Sequence, residues 1–235
     1  MQYKKILLKI SGESFGNGLS SFEGAKNIVK EIAQIHLQKV QIGLVIGAGN
    51  IIRGSYLEKQ GIHRSSADDM GMLATVINAL LLQELLYKEG CPSYIFTPKM
   101  IEGIGEVYSY RRCIDVLKEN VVIFAGGTGH PYFTTDTASA LRAVQMEAEC
   151  FFKATKVDGV YDDDPIKNPQ AHKFDFLTYQ EVLTNQYRVM DLTAISFCME
   201  NQLPVCVFDL MTYGNLSRAL KGDNPGTWIS KSRLH

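Results

Sequence analysis

Six short, almost unbroken apolar runs punctuate the chain: Lys5–Ile10, Gln41–Ile46, Ser93–Thr97, Val121–Ala125, Cys150–Lys153 and Pro204–Phe208. Strands covered on both faces have this character, because neither face needs polar residues. A weaker run lies near Thr227–Ser230. Between the runs, apolar positions recur at helical spacing over Glu23–Leu37, Asp68–Lys88, Ser109–Lys118, Asp136–Glu147, Leu192–Asn201 and Leu216–Lys221. Strands alternating with helices predict right-handed crossovers and an α/β fold, a three-layer α/β/α sandwich around a mostly parallel sheet. Ligands of such sheets sit beyond the carboxyl ends of the strands, so the turns there are where chemistry belongs. Thr155–Tyr187 is the longest stretch poor in regular pattern and is expected to be an excursion carrying ligand contacts.

Composition narrows the classes. The 235 residues show no linker and no internal repeat, so one domain over 1–235 is expected. A formal net charge of −1 argues against a nucleic-acid footprint, which needs a basic excess. The cysteines (Cys91, Cys113, Cys150, Cys198 and Cys206) are odd in number and scattered, without metal-ligand spacing. Free buried thiols in a reducing compartment follow. No leader pattern opens the chain, and no 18 apolar residues run together uninterrupted. The expectation is a cytoplasmic protein that does not span a membrane.

The turns after the strands carry the polar chemistry. Lys9-Ile-Ser-Gly-Glu13 closes the first strand with a cation and backbone N–H groups at close range. Ile46-Gly-Ala-Gly-Asn-Ile-Ile-Arg-Gly54 follows the second; its small residues admit a phosphate, and Arg53 can fork onto phosphate oxygens. Gly-x-Gly-x-x-Gly spacing fails there, and a Walker A motif occurs nowhere. Ala67–Asn78 opens with Asp68 and Asp69, expected at a helix N-terminus. Ala125–Ala138 passes through a glycine turn to Thr134 and Thr135, candidate caps for a helix whose free N–H groups attract phosphate. Lys153–Pro165 offers a Gly, an aromatic, carboxylates, and Lys156 as a second phosphate cation. Asp191 in Val189–Ala194 is a candidate helix N-cap.

In order and spacing, these motifs resemble the uridylate kinase branch of the amino-acid-kinase superfamily over nearly the whole chain. Relatives read Lys-Leu-Ser-Gly-Glu, Gly-Gly-Gly-Asn, Asp-x-Met-Gly-Met-Leu-Ala-Thr and Thr-Gly-Asn-Pro-Phe-Phe-Thr-Thr at the first four. The resemblance implies an amino-acid-kinase-like fold, with an acceptor part over about 1–150 and an ATP part over about 151–235. It gives ATP contacts to Lys9, Ile10, Ser11, Gly12, Gly49, Arg53, Thr155, Tyr161 and Asp164. UMP contacts fall to Ala48, Asp68, Thr128, Gly129, His130, Pro131, Tyr132, Phe133, Thr134 and Thr135. Lys9, Arg53 and Asp136 carry catalysis, Asp136 by orienting the other groups. Mg²⁺ enters with ATP, held mainly by phosphates rather than by protein ligands, and the assembly implied is a homohexamer. Ala48, Asp69, His130 and Tyr132 depart from the pattern. Ala48 is compatible only with a backbone that does not need positive φ. The segment Glu13–Phe22 looks shorter than in relatives with a GTP-regulated loop, so GTP activation is not expected.

The reaction implied is γ-phosphoryl transfer from MgATP to UMP. UMP's second pKa is near 6, so its phosphate is largely dianionic at neutral pH and needs no general base. A kinase of this fold with a carboxylate or carbamate acceptor is an alternative, because such acceptors also need no base. A non-catalytic nucleotide- or oxyanion-binding member of the fold is another.

Overall fold

The computed structural model describes residues 2–16, 18, 23–187 and 189–233. In chain order the elements are β1 (Lys5–Ile10), α1 (Glu23–Leu37), β2 (Gln41–Ile46), α2 (Gly54–Lys59) and α3 (Arg64–Lys88). Then come β3 (Ser93–Thr97), β4 (Glu106–Val107), α4 (Tyr110–Val116), β5 (Val121–Phe124), α5 (Thr135–Gln145) and β6 (Cys150–Thr155). The chain finishes with β7 (Val160–Tyr161), β8 (Lys173–Phe174), β9 (Phe176–Thr178), α6 (Tyr179–Asn185), α7 (Leu192–Glu200), β10 (Val205–Asp209), α8 (Asn215–Leu220) and β11 (Thr227–Ser230). Nine strands form one sheet in the order β4-β3-β5-β2-β1-β6-β10-β11-β9. Its ladders are parallel except β10–β11.

Alternation along the central strand explains the three layers. Ile6, Leu8 and Ile10 pack with α1, α3 and α8 through Ile28, Ile32, Val76, Leu82 and Leu216. Leu7, one residue out of phase, joins the other core with Val116, Ala140, Val182 and Ile195 from α4 to α7. Lys9 shares the phase of Leu7 and reaches the polar end of that second layer. All five cysteines are buried free thiols; burial pushes Cys91 and Cys113 up to about 11.

Two expectations need correction. α3 begins at Arg64, four residues before Asp68, with His63 Nδ1 accepting from the Ser65 N–H as its cap. Asp68 and Asp69 therefore lie in its second turn and do not mark its start; histidine is an unusual cap, so the true start gave no signal. Thr155–Tyr187 is better ordered than its pattern suggests. It holds the β7–β8 hairpin, tied to β11 by Val160 N–H donating to Thr227 Oγ1 at 2.8 Å, then β9 on the sheet edge and α6. Strands of two or three residues are too short to show a period. Among the described residues one helix, α3, is long and apolar enough by length and composition to match a membrane span, which does not overturn the expectation. Its inner face belongs to the core through Val76, Ala79, Leu82 and Leu86. Of the segment Glu13–Phe22, on which the expectation about GTP rests, residues 17 and 19–22 lie outside the described residues.

Candidate active site

The chemical centre lies where β1 and β6 reach the C-terminal rim. Lys9 and Lys153 are register partners on these strands. Asp136, in the first turn of α5, lies opposite both: Oδ1 is 3.1 Å from Lys9 Nζ, and Oδ2 accepts from Lys153 Nζ at 2.5 Å. The Lys9 contact is a close ion pair on the second carboxylate oxygen. The three side chains are only 12%, 9% and 14% exposed, so their charges are poorly screened. Burial alone would raise the Asp136 pKa, but Lys153 and Lys9 outweigh it and hold the carboxylate below its ordinary value. For Lys153, burial dominates and draws the ammonium below the usual lysine value, Asp136 offsetting part of the effect.

Two caps fix Asp136. Thr134 Oγ1 accepts from the N–H groups of Asp136 and Thr137 at 3.0 and 3.3 Å, starting α5. Asp191, the N-cap of α7, accepts from Ala194 N–H at 2.8 Å, from Thr137 Oγ1 at 2.9 Å and from Thr134 Oγ1. One carboxylate thus joins the starts of two helices beneath the lysines. Thr135, the first residue of α5, is half-buried beside them.

The neighbouring turns interlock through small residues and through α3. A Cβ on Gly12 would fall 2.5 Å from both Gly47 O and Asn50 Oδ1, so the first two rim turns touch only because Gly12 lacks one. Ile10 and Ala48 are buried, Ser11 and Gly49 half-buried. Ala48 has no positive φ, which satisfies the condition its substitution imposed. Asn78, buried on α3, donates to Gly47 O at 2.8 Å and exchanges amide hydrogen bonds with Asn50 at 2.8 and 3.2 Å. Thr75 Oγ1, also on α3, accepts from Gly126 N–H at 2.8 Å. The same helix therefore grips the turns after β2 and β5.

Asp68 reaches from α3 to the second of these turns, where its Oδ2 accepts from the Tyr132 N–H at 2.7 Å. Tyr132 sits at φ 71°, a left-handed conformation costly for a tyrosine, and the Arg64 guanidinium lies 5.2 Å from its ring centroid. Thr128 Oγ1 accepts from His130 N–H and donates to His130 O, so the His130 position is held by backbone. Gly129 at φ 81° lies against Pro98, where a Cβ would meet Pro98 Cβ at 2.8 Å. Pro131 is half-buried, and Phe133 is exposed.

Glu13 bridges the two remaining cations: one oxygen pairs with Arg53 and the other with Lys156 Nζ at 2.7 Å. Hydrogen bonding from Lys156, with Arg53 beside it, holds Glu13 below the usual carboxylate range. Thr155 Oγ1 bonds locally to Val157, at 2.5 Å to O and 3.1 Å from N–H. The contacts of Tyr161 and Asp164 are local too. Tyr161 OH donates to Asp158 at 2.6 Å, and Asp164 accepts from Ile166 N–H at 3.0 Å. Asp158 also accepts from Lys173 at 3.0 Å. The structure thus joins Lys9 to Asp136 and Asp68 to Tyr132, and leaves Tyr161 and Asp164 in a separate loop. It adds Lys153, Glu13, Thr75 and Asn78, which the sequence did not single out. A lysine at the rim end of an otherwise apolar β6 was the one available signal.

The chain as a whole is similar to known proteins. The profile of the amino acid kinase family matches residues 4–209. The chain is 47% identical to a uridylate kinase of Parabacteroides distasonis over 238 residues, covering 97% of this chain and 98% of that protein. It is 46% identical to a uridylate kinase of Bacteroides thetaiotaomicron, with the same coverage. A crystal structure of UMP kinase from Bacillus anthracis superposes with a TM-score of 0.94 at 33% identity, covering all of both chains.

Proposed function

The chain belongs to the amino acid kinase family, and on that premise we propose that it is a uridylate kinase, converting ATP and UMP to ADP and UDP. The observation that carries the reading is the paired Lys9 and Lys153 on Asp136, at the rim between the glycine turns. A UMP phosphate oxygen forms the new bond to the γ-phosphorus. The bond to the β–γ bridging oxygen breaks, and its electron pair leaves with ADP. Charge spreads over the transferring phosphoryl group, and fixed cations in a poorly hydrated site stabilise it most where it develops. Lys9 and Lys153 fill that role. Asp136 is ionised and paired, so it positions the two ammonium groups and takes no proton. Arg53 and the backbone N–H groups of the first two turns bind phosphate, while Asp68, Ala48 and Thr128–Thr135 form the UMP side. Thr155, Tyr161 and Asp164 form the ATP side, with the acceptor part over about 1–150 and the ATP part over about 151–235 of one domain.

The donor set suits Mg²⁺ carried on the nucleotide. Among the described residues no three His, Cys, Asp or Glu side chains gather as a cage, and the central carboxylate already faces two ammonium groups. Mg²⁺ keeps water and phosphate ligands readily, and bound with ATP it would neutralise phosphate charge. Self-association is supported by the outer face of α3, where Met70, Leu73, Ile77 and Leu80 are exposed at helical spacing; a homohexamer is the form the family resemblance implies. Buried free thiols support a reducing cytoplasmic setting.

A coupled ADP-release assay over UMP, CMP, aspartate and glutamate tests the reading. Turnover with UMP is expected. Turnover only with a carboxylate acceptor would place the chain in another branch, and ATP binding without any turnover would make it a binding protein.

A further inference from the structure

Glu13 has no part in the transfer just described, yet it occupies the middle of the phosphate-binding cations. It follows Lys9-Ile-Ser-Gly in sequence and sits in a short 3-10 turn, Gly12–Phe15. Arg53 comes from the turn before α2, and Lys156 immediately follows β6. Three separate rim segments therefore meet on one carboxylate, each oxygen taking one cation. The carboxylate is 28% exposed, whereas Arg53 and Lys156 are 63% and 60% exposed. Gly49 lies alongside, a Cβ there being 3.5 Å from Glu13 Oε1, so the phosphate-admitting turn also borders the carboxylate.

We propose that Glu13 is a stand-in for nucleotide phosphate: it seats Arg53 and Lys156 in the free protein and yields them to the ATP polyphosphate. The inference rests on the reading above in which Arg53 binds phosphate, and extends it to Lys156, the second phosphate cation expected from the sequence. A carboxylate and a phosphate present the same kind of paired anionic oxygens to an arginine fork and a lysine. Ion pairs this exposed are weak, so exchange for a multiply charged phosphate is easy. The arrangement keeps two flexible cations near their working positions and prevents weaker anions from settling there. Its cost is competition, since Glu13 must be released and then repels the arriving phosphates.

The test is ATP affinity of Glu13→Gln, with Glu13→Ala as a second variant, circular dichroism verifying the fold of each. At low ionic strength Kd for ATP should tighten about three- to tenfold, and inorganic tripolyphosphate should show the same gain without the nucleoside. The gain should shrink towards wild type by about 0.5 M salt, where exposed charges are screened. It should also vanish in an Arg53→Ala, Lys156→Ala background. Unchanged or weakened ATP binding in E13Q, with a wild type that binds ATP and phosphorylates UMP, overturns the stand-in role and leaves the kinase reading intact. A gain that persists without Arg53 and Lys156 also overturns it, because Glu13 would then act only as a remote charge. A wild type that neither binds ATP nor turns over UMP removes both readings.

Discussion

Lys9 and Lys153 are register partners on neighbouring parallel strands, and Asp136 faces one with each carboxylate oxygen. Two ammonium groups side by side repel each other, so the carboxylate is a structural necessity as well as a positioning group. Asp136→Asn should cost about 3 kcal/mol, the usual range for leaving buried charge without its partner. For a chain this long that is a fall in Tm of roughly 6–12 °C, read by thermal melting. UMP-dependent turnover should fall at the same time.

Asp136 also sets a pH dependence with a definite sign. Its pKa is depressed in the folded protein, so its stabilising contribution is fully present above the unfolded value of about 3.9. That contribution is lost as pH falls through the depressed folded value. The stability gap between wild type and D136N should therefore be widest above about pH 4 and should close towards pH 2. Melts over a pH series measure it, and a gap that widened on acidification would contradict the assignment.

Lys9→Ala should lower kcat by about two to three orders of magnitude, the scale seen when one fixed charge-stabilising group is removed. The fold should survive, because Lys153 still pairs with Asp136 at 2.5 Å. Lys153→Ala should show a comparable kinetic loss. Initial-rate measurements with saturating UMP and ATP decide whether both lysines act on the transfer step.

Asp68 holds the Tyr132 N–H at 2.7 Å, and Tyr132 keeps a left-handed backbone there. Asp68→Ala should release that loop and raise KM for UMP by roughly 10- to 100-fold, from about 1.5–3 kcal/mol for a charged hydrogen bond. KM for ATP should move much less. Equal changes in both constants would mean the residue serves the fold rather than the acceptor.

Gly12→Ala tests the contact between the first two turns. The added methyl would fall 2.5 Å from Gly47 O and Asn50 Oδ1. The turns must separate, at about 1–3 kcal/mol by analogy with overpacked cores. A lower Tm with weakened binding of both substrates is the expected outcome.

How much of this was legible beforehand follows from burial. The apolar runs at Lys5–Ile10 and Gln41–Ile46 coincide with β1 and β2, because strands covered on both faces announce themselves. β7, β8 and β9 stayed hidden, being too short to carry a period. The motifs marked which turns carry polar groups but not which side chains meet. Glu13 and Arg53 are 40 residues apart in sequence, and nothing local announces their pairing. Lys153 read as the end of a strand, and only the register with Lys9 reveals that two cations stand together. Asn78 and Thr75 looked like ordinary positions on an apolar helix until their partners on the turns were seen.

Those two residues have a further consequence. Asn78 and Thr75 are three positions apart on α3, a rise of about 4.5 Å along the axis, and they fix the turns after β2 and β5 respectively. The spacing between those turns is thus gauged by the pitch of a rigid rod. Any shift in the docking of α3 would therefore carry the turns after β2 and β5 with it, because both hang on one helix.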